Sequence, residues 1–72
     1  MKKDRYQYVC LEAEAGRDAF VIHPASIEEG LVTECHLPAE TLLVRTANGK
    51  QRSWDYHECE ELFHLKNEWP RH

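Results

Sequence analysis

Glu40-Thr-Leu-Leu-Val-Arg-Thr-Ala-Asn-Gly-Lys-Gln-Arg-Ser-Trp-Asp-Tyr-His-Glu58 reads, in chain order, as a strand, a tight turn, a second strand and a capped helix start. Asn48-Gly49 between two runs of strand formers is the pattern of a two-residue hairpin loop. That loop sets Ala47 opposite Lys50, Arg45 opposite Arg52 and Leu43 opposite Trp54. Asp55 and Glu58 have the spacing of a capping box, and Trp54 and Cys59 sit where a hydrophobic staple belongs. The spacing predicts a helix from Asp55 to about Asn67, stopped by Asn67 as a cap and by the restriction Pro70 places on Trp69. Its apolar stripe is Cys59, Leu62 and Phe63, with Lys66 lying flat at its end.

Upstream, Arg5-Tyr-Gln-Tyr-Val-Cys-Leu-Glu-Ala13 is rich in strand formers and alternates Tyr6, Tyr8, Cys10 against Gln7, Val9, Leu11. It reads as a first strand. Residues 14–18 read as a turn, and Ala19 to His23 as a second strand, stopped by Pro24 and paired with the first in a hairpin. Ala25 to Gly30 reads as a short helical turn or loop. Leu31 to Leu37 is a third strand, with Leu31, Thr33, Cys35 and Leu37 on one face. Thr41 to Thr46 and Gln51 to Trp54 complete the set. Residues 1–72 are expected to form one small domain, mainly β. The expectation is a curled five-stranded antiparallel sheet, or an SH3-like or Sm-like partly open barrel, with one C-terminal helix. An open sheet with the helix across one face is the alternative.

A chain of 72 residues buries too little to build a deep enclosed site. Its 42% apolar and 31% charged residues fit a globular domain rather than a disordered one. The longest apolar run, Ala19-Phe-Val-Ile22, is far too short to span a membrane. The basic start Met-Lys-Lys-Asp-Arg lacks the apolar segment of a signal peptide, so a cytoplasmic location is expected. Three cysteines, Cys10, Cys35 and Cys59, are an odd number at wide spacing and read as free, buried thiols.

Charge is segregated within a net of -4. Arg45, Lys50 and Arg52 make the hairpin basic, and Asp55, Glu58, Glu60 and Glu61 follow as acids that favour a helix start. Two arginines facing each other on one strand pair are destabilising unless something offsets them. Leu43, Arg45, Lys50, Arg52 and Trp54 are therefore the candidate binding residues. As a functional patch they suit an anionic, stackable partner such as single-stranded nucleic acid. As structure, nearby acids neutralise the arginines and Trp54 packs under the helix. The pI near 5.7 argues against a general nucleic-acid binder.

Cys35-His36 and His57-x-Cys59 offer metal-ligand types, but neighbours on a strand point to opposite faces. No metal and no cofactor is expected. No Gly-rich phosphate loop occurs, and Glu28-Glu29 and Glu60-Glu61 diverge as solvated charge. The chain reads as a non-enzymatic binding or regulatory module with another protein as partner. Single-stranded nucleic acid bound by the hairpin is the second reading, and a structural metal protein the third.

Overall fold

The computed structural model describes residues 1–63. It holds one helix, α1 (Lys3–Glu14), and five strands: β1 (Phe20–His23), β2 (Glu28–His36), β3 (Thr41–Thr46), β4 (Gln51–Asp55) and β5 (Glu60–Leu62). Single 3-10 turns at Leu37–Ala39 and Tyr56–Glu58 join β2 to β3 and β4 to β5. The strands form one unclosed antiparallel sheet in the order β4-β3-β2-β1-β5. Among the described residues, five antiparallel strands and one helix match the expected class, but this helix is N-terminal.

The segment expected as the first strand is α1, so it forms no hairpin with β1. Tyr6, Val9 and Cys10 are buried, with Ala13 half-buried beside them. These are positions i, i+3, i+4 and i+7 of one helical face. The strand propensity of Tyr, Val and Cys is overridden by that period and by a strong stop signal. Gly16 takes φ +80 just past the helix end. Its N–H donates to Ala13 O at 3.1 Å, and Arg17 N–H donates to Glu12 O at 2.9 Å. That pair of bonds is the Schellman arrangement, which depends on a left-handed residue that glycine adopts without strain.

The hairpin β1–β2 closes at His23 and Glu28 over a four-residue loop, Pro24 to Ile27. Residues 25–30 are thus partly loop and partly strand, and Gly30 ends no helical turn. Pro24 occupies the second position of a β-turn closed by Ser26 N–H to His23 O at 3.2 Å, where a fixed φ is favourable.

The hairpin β3–β4 exists, but its register differs from expectation by one residue. Leu42 pairs with Trp54, Val44 with Arg52 and Arg45 with Gln51. Thr46 N–H reaches Lys50 O at 2.8 Å, Gly49 N–H reaches Thr46 O at 2.9 Å, and Gly49 has φ +84. Ala47-Asn48-Gly49 is therefore a three-residue loop with glycine in the left-handed position. A one-residue slip exchanges the faces of a whole strand. Arg45 and Arg52 consequently lie on opposite faces, and the predicted opposition of two arginines does not occur.

The expected helix from Asp55 to Asn67 is also corrected. Asp55 does cap a turn, accepting His57 N–H at 2.8 Å, but only the single 3-10 turn Tyr56–Glu58 follows. Glu60 to Leu62 then pairs with Ile22, Val21 and Phe20 as β5. Phe63 follows β5 outside any helix, and residues 64–67 of that predicted helix lie outside the described residues.

The core lies between α1 and the inner face of the sheet. Val21, Leu42, Val44 and Cys59 are completely buried, and the rings of Tyr6 and Tyr56 stack with centroids 4.2 Å apart. A bulge in β2 between Val32 and Glu34 shifts the register, so that Val32 pairs with Val44 but Cys35 with Leu42. Without the extra residue, Glu34 and not Cys35 would face inward. The bulge turns Cys35 toward α1, where it forms a disulfide with Cys10. The expectation of three free thiols fails for this pair: helical spacing puts Cys10 on the inner face of α1, and the bulge brings Cys35 beneath it. Cys59 stays a free, buried thiol. Arg5 ties the other side of α1 to the sheet with a two-pronged bond to Glu61, at 2.5 and 2.8 Å.

Candidate binding face at the two hairpin tips

Because β2 and β3 are neighbours and Gly30 pairs with Thr46, the β1–β2 and β3–β4 loops lie side by side at one end of the sheet. Between them is a cleft of about 330 Å³ lined by Ile27, Glu28, Glu29, Thr46, Ala47 and Asn48. The β3–β4 side is held by the Thr46 hydroxyl, which donates to Asn48 Oδ1.

The β1–β2 side is more unusual. Ile27 has φ +55 and is 83% exposed. A left-handed conformation costs an L-residue about 1–2 kcal/mol, and β-branched residues tolerate it least. Glu40 has a similar φ of 56, but its carbonyl accepts Tyr56 N–H at 3.2 Å and so joins two elements. Ile27 N–H donates to Pro24 O at 3.2 Å within its own loop, while its side chain stays exposed to solvent.

Behind the tip is a polar and aromatic support. His23 Nδ1 lies 2.8 Å from Ser26 Oγ, and His23 Nε2 lies 3.6 Å from Glu58. The imidazole stacks on Trp54 with centroids 4.9 Å apart. Arg52 faces Glu28 at 3.7 Å, a partly exposed pair of small energetic weight. The loop base thus makes four contacts, three of them through His23, while its apex carries an exposed isoleucine.

The structure divides the five residues singled out in the sequence. Leu43 and Arg45 lie half-buried on the outer face, Lys50 is exposed in the turn, and Arg52 lies on the inner face against Glu28. Trp54 is only 7% exposed, packed over Gly30 and His23. No single face carries all five. The sequence reading passed over Ile27 as a site and read Cys10 and Cys35 as free thiols rather than as a pair. One signal for Ile27 is present in the sequence: it is an isolated apolar residue in the turn run Pro24-Ala-Ser-Ile-Glu-Glu29.

Among the described residues, no three His, Cys, Asp or Glu side chains converge as a metal-binding group, and no helix is long and apolar enough to cross a membrane. Burial raises the Cys59 thiol to about 11. Two bonds from His57, backbone first and then side chain, hold the Asp55 carboxyl below its usual range. Comparison of the chain with protein-family models, curated proteins and solved structures finds no match.

Proposed function

We propose that this domain is a non-enzymatic protein-binding module that docks an apolar side chain of its partner at the two hairpin tips. The observation that supports this is Ile27: a β-branched residue, strained and exposed, beside a cleft and above the His23–Trp54 stack. Folding alone is better served there by Gly or Asn. A contact that buries Ile27 on a partner offsets both the strain and the exposed apolar area. We read the sheet as a partly open barrel of the SH3-like or Sm-like kind, a reading supported by β1 lying between β2 and β5 and by the 3-10 turn before β5. Nucleic-acid binding by the β3–β4 hairpin has weaker support, since Trp54 is buried and Arg52 already faces an acid.

The test is to select peptides against the folded domain from a display library and to map the best binder by amide shifts on the labelled protein. Shifts confined to residues 23–29 and 46–50 are expected. Shifts centred on α1 or on the β4 edge would overturn the reading. A titration with short single-stranded oligonucleotides at low salt is expected to leave residues 43–54 unmoved.

A further inference from the structure

The Cys10–Cys35 disulfide joins α1 to the bulged part of β2, 25 residues apart in the chain. It borders a cleft of about 430 Å³ at the surface, lined by Cys10, Ala13, Glu14, Thr33, Glu34, Cys35 and Leu37. The two cysteine residues are not equally placed. Cys10 is buried, whereas Cys35 is only partly so. Glu14 and Glu34 are exposed at the cleft, and neither makes a salt bridge among the described residues. No lysine or arginine lines it.

We propose that this cleft is a thiol–disulfide exchange site selective for small cationic thiols, with Cys35 as the sulfur attacked. The thiolate of the incoming reagent forms a bond to Cys35 Sγ, and the Cys10–Cys35 bond breaks. The electron pair leaves on Cys10 Sγ, which takes a proton from water. The products are a mixed disulfide on Cys35 and a thiol on Cys10. A second molecule of the same thiol attacks the reagent sulfur of the mixed disulfide, freeing the Cys35 thiol and releasing the oxidised reagent. Exchange removes the covalent tie between α1 and the sheet, leaving Arg5–Glu61 and the packing of Tyr6 and Val9. Selectivity comes from the two carboxylates at the cleft, which attract an ammonium-bearing thiol and repel an anionic one. Cys59 takes no part, because it is completely buried.

The experiment exposes the full oxidised chain to cysteamine or to 2-mercaptoethanesulfonate at equal thiolate concentration and low ionic strength. Products are trapped in acid and mapped by mass spectrometry. Cysteamine is expected to react about threefold faster or more, with the adduct on Cys35. The ratio is expected to collapse in high salt and to fall in each of Glu14→Gln and Glu34→Gln, but not in Glu60→Gln, which removes an equal charge far from the cleft. An adduct on Cys10, equal rates for the two reagents, or a ratio that Glu60→Gln lowers as much as the cleft variants would overturn the proposal. So would a rate that rises with urea as steeply as global unfolding, since the reaction would then not belong to the folded cleft.

Discussion

Gly30 on β2 lies directly under Val44 and the indole of Trp54. A Cβ at Gly30 would stand 2.8 Å from Val44 Cβ and 3.3 Å from Trp54 Cζ3. The Val44 atom is fixed by its backbone, so the two strands and not a flexible tip would have to give way. The missing side chain is what lets Trp54 lie across the sheet and meet His23.

Gly30→Ala is therefore expected to destabilise the fold by about 1–3 kcal/mol, the usual cost of overpacking. In a Trp69→Phe background, the emission of Trp54 reports the same change. A lower urea midpoint with red-shifted emission is expected. An unchanged midpoint would mean that the strands absorb the extra methyl freely.

The disulfide closes a loop of 25 residues, for which chain entropy gives about 3 kcal/mol of stabilisation. Cys10→Ser/Cys35→Ser is expected to lower the unfolding free energy by about that much under oxidising conditions. Wild type treated with a strong reductant is expected to match the double variant. Equal stability of oxidised wild type and double variant would show that the bond contributes nothing.

Several elements were legible from sequence because local rules act on them alone. Strand β3 and most of β4 follow from alternation around Asn48-Gly49, and Asp55 caps the turn it was expected to cap. The register was not legible, because Asn-Gly serves a two-residue loop while Ala47-Asn48-Gly49 serves a three-residue one, and only strand pairing decides between them. The face assignment of Arg45 and Arg52 failed with it. Helix α1 was misread because Tyr6, Tyr8 and Cys10 alternate while Tyr6, Val9, Cys10 and Ala13 recur with helical period in the same segment. Gly16 was the deciding residue. Cys35 faces inward through a bulge that no local pattern announces. Ile27 was passed over as a site because its left-handed φ belongs to the loop length and not to its own preference.

Cys59 gives the fold an alkaline limit. Burial raises its folded thiol from near 9 to about 11. The unfolded chain therefore loses its proton first, and the stabilisation is complete below about pH 9. It is lost progressively as pH rises from about 9 toward 11, by an amount on the order of 2 kcal/mol. Burial also raises the Tyr6 and Tyr56 phenols, which adds loss in the same direction at the upper end. Stability measured from pH 8 to 11 is expected to fall less steeply in Cys59→Ala than in wild type. Parallel curves would show that the thiol does not titrate differently on folding.

The most direct test of the binding reading is Ile27→Asn, with unfolding free energy and affinity for the selected peptide measured on the same preparation. Asparagine tolerates the left-handed loop position and removes the exposed apolar group. Stability is expected to rise by about 1 kcal/mol while affinity falls at least about tenfold, a loss of about 1.4 kcal/mol. Unchanged affinity, with or without a gain in stability, would contradict the claim that Ile27 is held at the hairpin tip to meet a partner.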